Sequence, residues 1–275
     1  MRRSALAAVV VLAAALVGIQ LAGARPLATS VTATSQVVVP RGQPVQVAFT
    51  ADTTQLPLFT DFSASAENAI RMAVEQHPTV RGFPVQVNHV ETLCVGGDNT
   101  ASATAIVGNT QNTAVLGPLC SMAFVSALPI FENAGVVTIS GSASLSLLPA
   151  LAPTVFDRTV VVNDAVGDPG DLWISQISTL PSFLEWEQEY EAEFGQAPVL
   201  PVYSALYFDA ASLLLNRLQQ VSRLVNGNLV ISREALASAI RNTTKFQGVS
   251  CTVTLELSTG NRVNDSAALS RCAQG

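Results

Sequence analysis

Between Val45 and Ser140 the chain alternates, at short intervals, between runs that suit buried strands and stripes that suit helices. VQVAF (45–49) is a short β-rich run, and FPVQVNHVE (83–91) alternates Phe, Val and Val as a strand does. TAVLG (113–117) and GVVTIS (135–140) read as two more strands. Between them, SASAENAIRMAVEQH (63–77) repeats apolar residues at Ala66, Ala69, Ile70, Ala73 and Val74, one face of a helix. NTASATAIVGNT (99–110) predicts a second helix with Asn99 as its N-cap. SMAFVSALPIFENAG (121–135) predicts a third, with a proline inside it and Gly135 as its stop. Strands separated by single helices make right-handed crossovers, so the expectation is an α/β fold. It is a doubly wound parallel sheet in three layers, α-β-α, over residues 44–275.

The second half is less regular. TVFDRTVVVND (154–164) predicts a strand and GDPGD (167–171) a turn. SFLEWEQEYEAEFG (182–195) predicts an acidic helix, its Glu185, Glu187, Glu189, Glu191 and Glu193 facing solvent. VYSALYFDAASLLLNRLQQVSRL (202–224) predicts a long buried helix, and SREALASAIRNT (232–243) a helix capped by Ser232. VSCTVTLEL (249–257) predicts a closing strand. Residues 25–43, rich in Thr, Ser, Val and Pro, read as a linker.

The first 24 residues carry a basic start, an apolar core and Ala22-Gly23-Ala24, the pattern of a secretory signal cleaved after Ala24. The same stretch, apolar from Ala5 to Ala24 apart from Gln20, also has the length of an uncleaved anchor. Either reading places the chain in the periplasm or outside the cell, where an even number of cysteines reads as disulfides. Three pairings of the four cysteines are open; the local one is Cys94 with Cys120 and Cys251 with Cys272. Each local bridge closes a loop of about 20–25 residues, worth about 3 kcal/mol by chain entropy. No CxxC occurs, and His77 and His89 fall outside any zinc-ligand spacing, so no metal or other cofactor is expected.

Only 12% of residues are charged and the formal net charge is −6. Phosphate binding needs clustered Lys and Arg, so nucleic acid is excluded as a partner. Ser121 lacks a G-x-S-x-G elbow, and the phosphate-loop, dinucleotide and H-E-x-x-H motifs are missing from the sequence, which argues against an enzyme. His77 reads as a helix-end residue and His89 as an outward strand residue, neither placed to activate Ser121. In an open parallel sheet, ligands sit where strands end and helices begin. Two junctions offer small residues, hydroxyls and backbone N–H groups there: Leu119-Cys120-Ser121 and Ser140-Gly141-Ser142-Ala143-Ser144. That suits a carboxylate held by N–H donors and a helix dipole. Ordinary turns use the same residues.

The run GPLCSMAFVSALPIFENAGVVTISGSAS, Gly117 to Ser144, resembles the branched-chain amino-acid (Leu/Ile/Val-type) substrate-binding proteins of ABC transporters, of the type I periplasmic binding fold. It carries that family's G-x-x-C/S-S, A-x-P-I-Y/F-E-x-A-G and V-x-x-I-S-x-x-A-[ST] segments in order. The similarity extends to Ala66–Val74, RGFPVQV, PTVFDRTV, LPSFLEWEQEYEAEFG, the helix around Tyr207-Phe208-Asp209-Ala210 and the strand around Thr252–Leu255. The resemblance implies a ligand carboxylate on Ser121. It implies the backbone of Ser142 and Ala143 and the hydroxyl of Ser144 around the carboxylate and ammonium, and an aromatic wall from Phe59 or Phe62. It also implies a Cys94–Cys120 bridge, an amino acid or similar small carboxylate as ligand, and an ABC permease as partner. Such proteins build a second α/β lobe after a segment like FDRTVV; here only Asn163–Thr179 stands in its place, too short for a domain. A single lobe leaves the site open to water and its charge-assisted bonds weak. The alternative is a ligand-free sensor or interaction module, a homodimer formed through the exposed lobe surface.

Overall fold

The computed structural model describes residues 36–143, 159–161, 171–263 and 266–274. Its elements run β1 (Gln36–Val39), β2 (Val45–Ala51), α1 (Pro57–Gln76), β3 (Thr79–Val80), β4 (Phe83–Glu91), α2 (Thr100–Gly108), β5 (Asn112–Leu116), α3 (Ser121–Asn133), β6 (Val137–Ser140) and β7 (Thr159–Val161). They continue with α4 (Asp171–Ile177), α5 (Pro181–Phe194), α6 (Pro201–Val221), β8 (Arg223–Val225), β9 (Asn228–Ser232), α7 (Arg233–Arg241), β10 (Phe246–Gly248), β11 (Cys251–Val253) and α8 (Ser266–Cys272). The expected signal segment 1–24, residues 25–35 of the expected linker, Ser144 and residues 163–170 lie outside the described residues.

Six strands form the main sheet in the order β3-β4-β2-β5-β6-β7. All neighbours are parallel except the short β3, which runs antiparallel to β4. The alternation in the sequence produces this directly. On β2, Val47, Phe49 and Ala51 enter one core and Ala48 the other. On β5, Ala114 and Leu116 face the first core and Val115 the second. Every residue of β5 is buried, as a strand covered on both faces requires. Helices α1 and α6 pack together on the first face, with α5 and α7 beside them; α2 and α3 pack together on the second. The expected three-layer α/β architecture is present.

Several local readings change. Residues 36–39 are a strand, paired with β9 from Gln36↔Ser232 to Val39↔Leu229. Val37 and Val39 are buried while Val38 is exposed, the period-two pattern of a half-buried strand, which is why the segment does not behave as a linker. The long helix ends at Val221, and Arg223–Val225 turns back through Asn226-Gly227 as a hairpin. The expected strand 249–257 is a short antiparallel hairpin, β10 with β11, outside the main sheet. The Arg262 guanidinium donates to the carbonyls of Ser250 (2.7 Å) and Thr252 (3.2 Å), holding this segment off the sheet edge. Asn99 stands at the N-cap position of α2, yet its side chain clamps the backbone of Leu93, accepting from its N–H (2.7 Å) and donating to its carbonyl (3.0 Å). Ser232 does cap α7, accepting from the Ala235 N–H at 3.1 Å. Both local disulfides are formed, Cys94–Cys120 and Cys251–Cys272.

Candidate functional site

The chain leaves β2 to build β4 on one side, then crosses back to build β5 on the other. That reversal is a topological switch point, where the loops after neighbouring strands diverge and leave a crevice at their carboxyl ends. The crevice is bounded by the loop after β2, from Asp52, and by Gly117–Cys120 after β5, which leads into Ser121 at the first position of α3. Next to it stands the turn after β6, Gly141-Ser142-Ala143. The two sequence-predicted junctions therefore meet: the Ser142 hydroxyl donates to the carbonyl of Leu119 at 2.5 Å.

The interior of this edge is tightly wired. Ser140 Oγ donates to the carbonyl of Pro118 (2.9 Å) and accepts from the N–H groups of Ser142 (3.3 Å) and Ala143 (2.9 Å). The two amides expected to hold a ligand are thus satisfied within the turn, and Ala143 is buried against Phe124 and Leu128. Ser121 and Ser142 are half-buried. First-turn N–H groups of a helix lack intrahelical partners, so α3 presents positive dipole at this mouth. Phe59 is half-buried against the core at the start of α1. Phe62 is a core residue, edge-on to Tyr203 and Tyr207, and not an exposed wall. Ser144 lies outside the described residues.

Two groups belong to the site that sequence reasoning did not assign. The Tyr207 hydroxyl, from α6, lies 3.1 Å from Ser142 Oγ and 3.3 Å from the Pro118 carbonyl, tying the helix to both junctions. Burial pushes this phenol up to about 12 against the pull of its hydrogen bonds to the 140–142 turn. The close approach explains Gly141, where a Cβ would sit 2.8 Å from the Tyr207 nitrogen. Asp52, fully buried, accepts from the N–H groups of Thr54 and Gln55 (both 3.0 Å) and of Cys94 (2.8 Å). An acid placed directly after a buried strand is the sequence signal that marks it. The Cys94–Cys120 bridge joins the loop after β4 to the loop after β5, on either side of β2. A cavity of about 330 Å³ lies beside it, walled by Gly96, Gly97, Met122, Val125 and Ser126.

His77 ends α1 and His89 lies between Glu67 (3.2 Å) and Glu91 (3.5 Å). Among the described residues, no group of three or more His, Cys, Asp or Glu is placed to hold a metal ion, and no helix is long and apolar enough to cross a membrane.

No family model matches the chain, and no curated protein does. Solved structures match the fold. A putative branched-chain amino acid ABC transporter protein from Rhodospirillum rubrum aligns with TM-score 0.63 at 13% identity, over 80% of this chain and 95% of that one. An ABC transporter substrate-binding protein from Desulfitobacterium hafniense, in complex with Leu, aligns with TM-score 0.60 at 14% identity, over 81% and 96%. A solute-binding protein of an ABC transporter from Rhodopseudomonas palustris BisB5, in complex with 3,4-dihydroxybenzoic acid, aligns with TM-score 0.62 at 12% identity, over 80% and 91%. At these identities the likeness is one of fold: α/β, of the type these binding proteins share.

Proposed function

We propose that this chain is an exported solute-binding protein of the ABC-importer type that takes a small carboxylate, a branched-chain amino acid first among them, at the carboxyl edge of its sheet. Ser121 and the first-turn N–H groups of α3 are proposed to hold the carboxylate, with Phe59 beside them; Ser142 positions the junction through its bond to Leu119. The observation that carries this reading is the contact between the two junctions, through Ser142 and Leu119, beside the topological switch point. The ligands of the neighbouring structures support the ligand class. Leucine and 3,4-dihydroxybenzoic acid differ in nearly everything but the carboxylate they share. Only residues 162–180 separate β7 from α5, which favours a one-lobed site and therefore modest affinity.

Calorimetry and ligand-observed NMR with leucine, isoleucine, valine and 3,4-dihydroxybenzoate test the proposal. A hydrogen bond to a charged group is worth about 1.5–3 kcal/mol, so Ser121→Ala weakens binding by roughly 10-fold to 100-fold. Binding of any of these ligands that Ser121→Ala leaves unchanged refutes the site.

A second reading rests on a different observation. Leu56, Leu58, Val95 and Met122 are all more than half exposed, and all follow strands at the same carboxyl edge. Apolar side chains gathered there favour a protein partner, a permease or a second copy, over that face. Light scattering separates the two: a dimer without ligand favours the second reading, a monomer with saturable carboxylate binding the first.

A further inference from the structure

A second cavity, of about 440 Å³, opens on a different part of the molecule, between the end of α1, one face each of α5 and α6, and the β10–β11 hairpin. Its size falls within the range of small-molecule sites. Two of its lining residues carry buried polar atoms without a hydrogen-bond partner: the indole Nε1 of Trp186 and the hydroxyl of Ser212. Trp186 is 2% exposed, so its N–H has exchanged water for nothing the protein supplies. Buried donors are nearly always satisfied, and a pair left open on one cavity marks a place where something else completes them. Asp209, on the same wall, is different. Its carboxylate accepts from the N–H groups of Val249 (2.8 Å) and Ser250 (3.1 Å) and from the Ser250 hydroxyl. It is committed to anchoring the hairpin, whose Gly248 lies so close that a Cβ there would strike the carboxylate.

The remaining charge on the lining is acidic. Glu185 and Glu189, one turn apart on α5 and exposed, stand at the rim, with His77 the one basic group on the lining. The C-terminal end of α1 meets the cavity at Gln76–His77, and helix C-termini favour cations. We propose that this cavity binds a small organic ammonium that also carries an oxygen acceptor: the ammonium at Glu185 and Glu189, the oxygen completing Trp186 Nε1–H and the Ser212 hydroxyl. This site is separate from the carboxylate site and does not depend on it.

The test uses the full chain with its two tryptophan indoles labelled with ¹⁵N and assigned through Trp173→Phe. Ethanolamine supplies ammonium and acceptor together, ethylamine the ammonium alone, and glycolate the acceptor alone. The expected result is a saturable downfield shift of the Trp186 indole proton with ethanolamine, binding at least about tenfold weaker for ethylamine and for the Glu185→Gln/Glu189→Gln variant. Both glutamates are exposed, so that variant folds. Ser212→Ala weakens ethanolamine binding while leaving the melting temperature unchanged or higher, since it removes an unpaired hydroxyl. No saturable shift up to about 100 mM ethanolamine, equal binding of glycolate, or a shift that the glutamine variant leaves intact overturns the proposal.

Discussion

Tyr207→Phe changes the sign of its effect on stability between neutral and alkaline pH. At pH 7 the variant loses the hydroxyl that bridges Ser142 and the Pro118 carbonyl. Neither partner is orphaned: Ser142 still donates to Leu119, and the Pro118 carbonyl still accepts from Ser140. The loss is therefore that of an ordinary buried hydrogen bond, about 0.5–1.5 kcal/mol. Alkaline pH works the other way. The phenol titrates at 10.0 when unfolded and at about 12 when folded, because burial disfavours its anion. The unfolded chain thus gives up this proton first. The stability the phenol contributes is intact below pH 10 and is lost as pH rises towards about 12. Each pKa unit is worth 1.36 kcal/mol, so the full loss is roughly 2.7 kcal/mol and about half of it is reached near pH 11. The variant, with no proton to lose at this position, is less stable than wild type at pH 7, draws level near pH 11, and is more stable beyond. Urea unfolding followed by circular dichroism at pH 7, 9, 10 and 11 measures this difference, and the other alkaline effects cancel in it. A difference between the proteins that stays constant over the series refutes the reasoning.

Asp209→Asn puts an amide N–H₂ where one carboxylate oxygen accepts from the Ser250 N–H and hydroxyl beside the buried Arg262, and that backbone N–H cannot accept in return. Breaking a buried ionic network in this way costs about 3–5 kcal/mol, and Arg262→Met in the same chain recovers part of it; thermal melts in which the two losses simply add would show that no coupling exists. Cys94→Ser with Cys120→Ser opens a loop spanning a sequence separation of 26 and lowers stability by about 3 kcal/mol in urea, with carboxylate binding weakened alongside.

The main sheet was legible because β2, β5 and β6 are covered on both faces and so read as continuous apolar runs between striped helices. The small sheet was not. β1 hides in a Thr- and Val-rich stretch and pairs with residues at the other end of the chain, so its alternation has no local partner to reveal it. The Asn226-Gly227 turn was the available clue. The C-terminal strand reading failed because Arg262, a single buried cation, takes the carbonyls that a longer ladder would have used. At the candidate site, the small residues of the two junctions mark segments that the fold brings into contact. What they do not reveal is that the hydroxyl of Ser140 turns inward and answers the turn's amides, or that Tyr207 arrives from a helix over sixty positions away.

The Cys94–Cys120 bridge spans the carboxyl end of the strand between the two loops it joins. Receptors that grip by swinging two jaws together can adjust their gap to the guest. A covalent tie fixes the spacing of the loops after β4 and β5 at one value, so this edge of the sheet cannot adjust in that way. Reducing the bridge would free the two loops to part, at the cost of the chain entropy it holds.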